Sequence, residues 1–122
     1  MQPHFAGLAP VDSYGDGGFR FAGMSHRGSL LCLPDGIWAW PVVSVADLSE
    51  QTLAPILEQA DDIDLALIGT GRELWVMPDD LRQRFRALHI SADAMTTGAA
   101  VRTYNVLLTE RRRVAAALIA VD

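Results

Sequence analysis

The spacing of apolar residues is strand-like over the first forty residues. Phe19-Arg20-Phe21 alternates with the two-residue period of a strand, and residues 29–33 form a short apolar run. Pro34-Asp35-Gly36 is typical of a tight turn, because proline presets φ and glycine accepts a positive φ. Residues 37–40 follow as a strand with both tryptophans on one face. This segment is therefore predicted to be a small antiparallel meander.

Apolar residues recur at helical spacing from residue 53 onward. Ser49 or Thr52 can cap this helix, and Pro55 favours a late start because proline is tolerated only in the first turn. The inner stripe is formed by Leu53, Ile56, Leu57 and Ala60. A strand is predicted next over residues 63–68, and its last four residues are all apolar, which indicates cover on both faces.

A second helix is predicted to start at Pro78, because proline suits the first helical position. Its inner stripe is formed by Leu81, Phe85 and Leu88. A short strand at residues 74–76 precedes this helix, and another at residues 90–94 follows it. The chain between strands 63–68 and 90–94 is long enough for a right-handed crossover between parallel neighbours.

A third helix is predicted from Thr97, as its cap, to about Thr109, and residues 114–121 form a final apolar strand. The buried stripe of the helix is Ala100, Tyr104, Leu107 and Leu108. The succession of strands and helices predicts one α/β domain over residues 1–122. Its three layers are a mixed central sheet, flanking helices, and a β-rich N-terminal portion that adds a layer or extends the sheet.

Composition excludes several classes of protein. Of the 122 residues, 50% are apolar and 20% are charged, which is ordinary for a globular chain. All 10 basic residues are arginine, so the chemistry of a catalytic or phosphate-binding lysine is excluded. The single cysteine, Cys32, cannot form an internal disulfide and is predicted to be an inert core thiol. The net charge of −5 argues against a nucleic-acid partner.

The sequence carries no pattern of a secretory signal or a membrane span. The first basic residue is Arg20, so no basic start precedes an apolar stretch. The longest apolar run, residues 114–121, is far shorter than the ~20 residues that cross a bilayer. We therefore expect a cytoplasmic protein without membrane insertion, and the oligomeric state is left open.

Two segments that could bind a ligand follow predicted strands. Gly69-Thr70-Gly71 comes after strand 63–68, and Thr96 and Thr97 lead into the third helix. Ligands of open α/β sheets bind beyond the carboxyl ends of the strands. The N–H groups of a helix start attract anions, and Arg102 lies one turn into the helix. These residues form a candidate cleft for a small anion; the alternative is that they build only tight turns and a cap.

Asn105 lies on the same helix, beside the buried stripe. A half-buried amide must have hydrogen-bond partners. Its partner is either structural, such as the carbonyl of a neighbouring loop, or Asn105 lines the candidate cleft with Arg102. The sequence leaves both alternatives open.

Other motifs do not meet the requirements of the chemistry they suggest. Gly69-Thr70-Gly71 lacks the third glycine of a dinucleotide-binding loop, because that position is Leu74. Ser25 and His26 are neighbours on a strand and point to opposite faces. The three histidines have no partner at metal-ligand spacing. We therefore predict no catalytic residue, no metal site and no cofactor.

The C-terminal third carries a long motif that resembles a known family. It covers residues 95–108, MTTGAAVRTYNVLL, and continues with Glu110, Arg112 and VAAAL at residues 114–118. Gly69-Thr70-Gly71, after an apolar strand, matches a second signature of that family, and weaker matches lie at Gly18, Phe19, Gly23 and Trp40. Over nearly its whole length the chain is similar to the family called domain of unknown function 498, with the MTH 938-like fold. The resemblance implies a three-layer domain and an assembly role, since a mitochondrial relative assists assembly of respiratory complex I.

Three positions depart from the pattern of that family. Thr96 stands where the family usually has aspartate, and Val101 where it often has cysteine. The start of the third helix therefore lacks a carboxylate and a thiol. Arg111 stands in place of a usual glycine after Glu110. If this position has left-handed geometry, arginine should cost about 1 kcal/mol there.

Two functions compete on these observations. The first is a binding or assembly protein without chemistry of its own, whose partner is another protein. The second is a small-anion or metabolite-binding domain, with or without enzymatic activity, whose cleft is formed by Gly69, Thr70, Gly71, Thr96, Thr97, Arg102 and Asn105. The three tryptophans are either core residues, which we favour, or an exposed patch for a partner; they are Trp38, Trp40 and Trp75.

Overall fold

The computed structural model describes residue 3 and residues 5–122. Along the chain its elements are β1 (Val11–Gly15), β2 (Gly18–Phe21), β3 (Met24–Arg27), β4 (Ser29–Leu33), β5 (Gly36–Trp40), α1 (Ala54–Glu58), β6 (Leu65–Gly69), α2 (Asp79–Ala87), β7 (Ser91–Met95), α3 (Thr97–Thr109) and β8 (Val114–Leu118).

The central sheet has five strands in the order β5-β4-β8-β6-β7. Strand β4 pairs antiparallel with β5 and β8, whereas β6 is parallel to both of its neighbours, β8 and β7. The predicted mixed sheet is therefore confirmed. Strands β1, β2 and β3 form a separate antiparallel sheet. The N-terminal portion thus adds a layer with three strands and extends the central sheet with two.

The inner strands β4, β8 and β6 are almost entirely apolar because both faces of the sheet are covered. In β4, Leu31 and Leu33 belong to the core that contains α1 and α2, whereas Leu30 and Cys32 belong to the core that contains α3 and the meander β1–β3. Strand β8 divides its residues between the two cores in the same way. The two-residue period of a strand therefore explains how one apolar run supplies two cores.

The first helix is shorter than predicted. Helix α1 covers only Ala54–Glu58, and a 3₁₀ turn at Ala60–Asp62 follows it. Leu53 takes the N-cap position, so neither Ser49 nor Thr52 caps the helix. Instead, the Ser49 N–H donates to the Thr52 hydroxyl (2.9 Å) and the Thr52 N–H donates to the Ser49 hydroxyl (3.2 Å). These side chains stabilise the turn before the helix.

The other two helices are shifted by one residue at their starts. Helix α2 begins at Asp79 with Pro78 as its N-cap, and α3 begins at Thr97 with Thr96 as its N-cap. Helix α2 connects the parallel strands β6 and β7, as the predicted crossover requires. No helix in the described part of the chain is both long enough and apolar enough to span a bilayer.

Residues 74–76 do not form a strand, contrary to the prediction. Leu74 and Val76 are 92% and 79% exposed, whereas Trp75 and Met77 pack against the core. Exposed and buried side chains alternate here as they would in a strand, but the segment is an extended loop with one side packed on the core. A strand also needs partners for its backbone, and this segment belongs to neither of the two sheets.

Candidate functional site

The end of β6 and the start of α3 meet, as the candidate cleft requires. The Thr70 N–H donates to the Met95 carbonyl (2.8 Å), and the Thr97 N–H donates to the Gly71 carbonyl (3.0 Å). Both loops follow the carboxyl ends of the parallel strands β6 and β7. The two segments singled out in the sequence are therefore neighbours on one rim of the sheet. We call Gly69, Thr70, Gly71 and Thr97 the β6–α3 junction.

The Thr97 hydroxyl connects three parts of the chain at this junction. It accepts a hydrogen bond from the Gly71 N–H (2.9 Å) and donates one to the Ile119 carbonyl (2.7 Å). The side chain is completely buried. Gly69 lies so close that a Cβ there would be 3.0 Å from the Thr97 Cα. Thr97 therefore fastens α3 to the loop after β6 and to the end of β8, rather than capping its own helix.

Thr70 is also engaged within the protein. Its hydroxyl lies within hydrogen-bond distance of the carbonyls of Glu73 (2.7 Å) and Met95 (3.1 Å), and the residue is 4% exposed. Thr96 and Arg102 are the members of the predicted set that are exposed. The hydroxyls of Thr70 and Thr97 are thus occupied by internal hydrogen bonds, and solvent reaches the set at its rim.

Tyr14 of β1 covers the first turn of α3. A Cβ on Gly98 would collide with the Tyr14 hydroxyl, and the Arg102 Nη1 would lie 3.6 Å from the same point. The sequence reasoning missed Tyr14. The available signal was Gly98, because a glycine near the start of a helix permits the close approach of another group.

Asn105 has a structural partner. Its carbonyl oxygen accepts a hydrogen bond from the Val11 N–H (2.9 Å), and its amide donates to the Val11 carbonyl (2.8 Å). The side chain thus pairs with β1 as a neighbouring strand would. These two bonds satisfy the half-buried amide and attach the meander to α3.

Cys32 and Tyr104 form a buried pair between β4 and α3. Burial raises the pKa of the Cys32 thiol to about 12, against a smaller opposing effect of the hydrogen bond to Tyr104. Burial and the neighbouring Cys32 also raise the pKa of Tyr104, whose hydroxyl donates to the Ala9 carbonyl (3.1 Å). Cys32 is therefore protonated at neutral pH and does not supply a nucleophilic thiolate.

The residues after α3 show one strained position and one ion pair. Arg111 has a φ of +61°, so the position where glycine is usual does have left-handed geometry. Arg113 donates two hydrogen bonds to the Asp64 carboxylate (3.1 and 2.8 Å). This contact lowers the pKa of Asp64, and both side chains are about half exposed.

One tryptophan is a core residue, as favoured from the sequence, and the other two are partly buried. Trp40 is 4% exposed, and its indole N–H donates to the Thr52 carbonyl (2.8 Å). Trp38 and Trp75 are partly buried against the same core. The exposed aromatic patch that was the alternative is therefore not formed by these residues.

Known proteins resemble this chain over almost all of the fold described above. Residues 11–119 match the family model described as "Protein of unknown function (DUF498/DUF598)". The chain belongs to this family. Among members of DUF498 and their relatives, an uncharacterised protein of Rhodobacter capsulatus is 41% identical over 97% of this chain and 90% of its own length.

A second relative has a named role. The mouse (Mus musculus) protein called NADH dehydrogenase [ubiquinone] 1 alpha subcomplex assembly factor 3 is 29% identical over 98% of this chain. The match covers 64% of the mouse protein, so the chain spans less than two thirds of that relative's length.

Solved structures of similar proteins agree with the fold. A crystal structure from Bartonella henselae, described as that of an outer membrane protein, has a TM-score of 0.92 and 51% identity, and covers 98% of this chain and 100% of that one. A Mth938-like domain from Bordetella pertussis has a TM-score of 0.80 and 27% identity, with 98% and 92% covered. The DUF498 chain thus has the three-layer fold that its sequence motif implied.

Proposed function

We propose that this chain is a protein-binding domain that assists the assembly of a respiratory complex. The observation that carries the proposal is the likeness to the mouse assembly factor, which extends over 98% of this chain. Because the likeness covers the whole α/β domain rather than one loop, it favours a role that depends on the surface of the domain. No catalytic step, metal or cofactor is part of the proposal.

The loop after the β6–α3 junction supports a docking role. Leu74 and Val76 are 92% and 79% exposed and lie two residues apart on an extended segment. Single exposed apolar residues are common on protein surfaces, whereas apolar side chains grouped on one segment are typical of a contact with a partner.

Crosslinking in living cells tests the proposal. The tagged chain is expressed in a bacterium with a respiratory NADH dehydrogenase, crosslinked gently and purified beside a tag-only control. We expect reproducible enrichment of NADH dehydrogenase subunits, and lower yield for the double variant Leu74→Ser, Val76→Ser. Val43→Ser is the matched control, since Val43 is also 79% exposed. If independent cultures give no reproducible partner, the proposal is wrong.

Binding of a small anion is the second candidate, and the exposed positions of Thr96 and Arg102 at the start of α3 favour it. Titration with phosphate, carboxylates and nucleotides, followed by NMR, tests it. The expected shifts concentrate at residues 69–71 and 96–102. Shifts elsewhere, or none with any of these ligands, would remove this candidate.

We propose the cytoplasm as the compartment in which the chain acts. The proposal rests on the single cysteine and on the short apolar runs of the sequence. Cell fractionation tests it: recovery of the chain with the outer membrane, in keeping with the description of the Bartonella protein, would contradict it.

A further inference from the structure

The two edges of the central sheet differ in how they are covered. At one edge, β5 is bridged by the chain itself: the Ile37 N–H donates to the Phe5 carbonyl (2.8 Å), and the Phe5 N–H donates back to Ile37 (3.4 Å). At the other edge, β7 pairs with β6 and with no other strand that the structure describes. One edge is thus partly covered, and the β7 edge is open.

The hydrogen bonds to β6 show which backbone groups of β7 are left over. The Ser91 N–H donates to the Asp64 carbonyl (2.9 Å), and the Met95 carbonyl accepts from Thr70 (2.8 Å). In a parallel pair, alternate residues direct both backbone groups to the same neighbour. Ser91, Asp93 and Met95 therefore direct their backbone groups to β6. Ala92 and Ala94 direct their N–H and C=O groups away from β6, toward the open edge.

A groove of about 470 Å³ runs beside this edge, between α2 and β7. We call it the α2–β7 groove. The basic residues of its lining are Arg82 and Arg86, which lie four residues apart on one face of α2, and His89, which follows the end of that helix. Phe85 and Ile90 form its floor, since both are buried. The groove thus combines an open strand edge with a row of basic side chains.

The arginines of this row differ from the arginine on another side of the same helix. Arg84 lies 3.4 Å from the Glu50 carboxylate, whereas neither Arg82 nor Arg86 has a salt bridge within the described residues. Asp93 is the one carboxylate among the described residues that line the groove. The net charge at the groove is therefore positive, although that of the whole chain is −5.

A second copy of this chain fits the edge poorly. If two β7 strands paired antiparallel about a twofold axis, the α2 helices would lie on the same face of the joined sheet. The unpaired rows of arginine would then approach each other, and in the central register Asp93 would oppose its own copy. Like charges directly opposite are destabilising in a strand pair. The charges therefore favour an acidic occupant over a second copy.

We propose that the β7 edge accepts an extended acidic segment of a partner protein as an additional strand. Backbone groups of the segment bond to Ala92 and Ala94, and its acidic side chains lie toward Arg82 and Arg86. Because side chains alternate along a strand, the acidic residues occupy every second position. The inference deepens the proposed function, on which it rests, by adding a contact at the β7 edge to the one proposed at Leu74 and Val76, and by giving the partner segment one chemistry.

The test uses a labelled seven-residue peptide with glutamate at alternate positions and threonine between them. We expect saturable binding in fluorescence anisotropy, NMR shifts at Ser91–Met95 and along α2, and slower exchange of the Ala92 and Ala94 amides. Binding should weaken as salt is added, because the contacts are between exposed charges. The matched peptide with glutamine in place of glutamate should bind about tenfold more weakly, which corresponds to 1.4 kcal/mol.

Two variants of the chain address the backbone and the charges separately. Ala94→Pro removes one N–H that points away from β6, so it leaves the ladder with β6 intact and should weaken peptide binding about tenfold. Arg82→Gln with Arg86→Gln should abolish the preference for glutamate over glutamine. If Ala94→Pro does not fold, the arginine variant still decides the proposal, because those side chains are exposed and have no salt bridge within the described residues.

The outcomes separate this inference from the proposed function. Unchanged peptide binding by the arginine variant, NMR shifts away from β7, or dimers of the free chain that pair through β7 would each overturn the inference. Crosslinking of respiratory partners that persists at full yield in the arginine variant would overturn the strand-edge contact and leave the proposed function standing. If the unmodified chain gives no reproducible crosslinked partner, the proposed function itself is overturned.

Discussion

The β6–α3 junction and the α2–β7 groove differ in whether their polar groups have hydrogen-bond partners inside the protein. At the junction, the Thr97 hydroxyl bonds to the backbone on both sides, and a Cβ on Gly69 would press against it. At the groove, the outward backbone groups of Ala92 and Ala94 have no strand partner within the described chain, and the side chains of Arg82 and Arg86 have no salt bridge there. A glycine-rich loop beside a helix start suggested an anion-binding cleft. At this junction the same residues instead form a tight internal connection.

Replacing Thr97 should have the largest effect on stability. Thr97→Val keeps the shape but leaves the buried Gly71 N–H and Ile119 carbonyl without partners, which we expect to cost about 2–4 kcal/mol. Urea denaturation measures the loss as a lower midpoint at constant m. Thr97→Ser retains the hydroxyl and should keep most of the stability. A cost below about 1 kcal/mol for valine would show that the junction is not held by these bonds.

Asn105, which the sequence analysis offered as a cleft residue, also forms its hydrogen bonds inside the protein. Asn105→Ala removes both bonds to the Val11 backbone and should cost about 1–3 kcal/mol. Hydrogen exchange should be faster at the Val11 amide than in the unmodified chain. Val106→Ala, at an exposed neighbouring position of α3, is the control and should change stability by less than about 0.5 kcal/mol. Equal effects of the two substitutions would contradict the structural role.

A substitution just after the C-terminal end of α3 should raise the stability of the fold rather than lower it. Because Arg111 has a φ of +61°, Arg111→Gly should relieve strain and raise stability by about 0.5–1 kcal/mol. Arg112→Gly is the control, since Arg112 is not among the residues with positive φ. Thermal melts of the two variants compare them directly; the prediction fails if both glycines have the same effect.

The ion pair of Arg113 and Asp64 should have a smaller, pH-dependent effect because both groups are exposed. Arg113 lowers the pKa of Asp64 in the folded state below its ordinary value of 3.8. The pair therefore stabilises the fold above pH 3.8, and its contribution disappears as the pH falls through the lower, folded-state pKa. Denaturation of Asp64→Asn and the unmodified chain should differ at neutral pH and converge in acid. Convergence at neutral pH as well would show that the pair contributes nothing measurable.

Changes in the groove should have the smallest effect on stability. Arg82→Gln with Arg86→Gln should shift the free energy of unfolding by less than about 0.5 kcal/mol, because these exposed side chains make no contact that the fold needs. The same urea measurement as for Thr97→Val gives the contrast with the junction. A large loss of stability in the groove variant would mean that its arginines have partners inside the protein. The groove would then resemble the junction, whose polar groups are bonded internally.

Most of the fold followed from periodicity, and the errors had one physical cause. The strand predicted at residues 114–121 is present because burial imposes a period on the sequence, but it ends at Leu118. Of the predicted stripe of α3, Ala100 and Tyr104 are buried, whereas Leu107 and Leu108 are partly buried. The error at residues 74–76 arose because one-sided burial produces the alternation of a strand without a strand partner. Ser49 and Thr52 carry the chemistry of a cap but use it in the preceding turn. Such choices depend on which neighbour is nearest in space.

For the candidate site, the sequence by itself determined which two loops follow strands, and it predicted that they meet if those strands are parallel neighbours, as β6 and β7 are. Only the tertiary structure decided that the Thr97 hydroxyl fills that meeting point and that Tyr14 covers the helix start. It also decided that β7 has an open edge beside unpaired arginines. Local periodicity records burial, whereas hydrogen-bond pairing and strand order depend on residues far apart in the chain, and a single sequence carries no local signal for them.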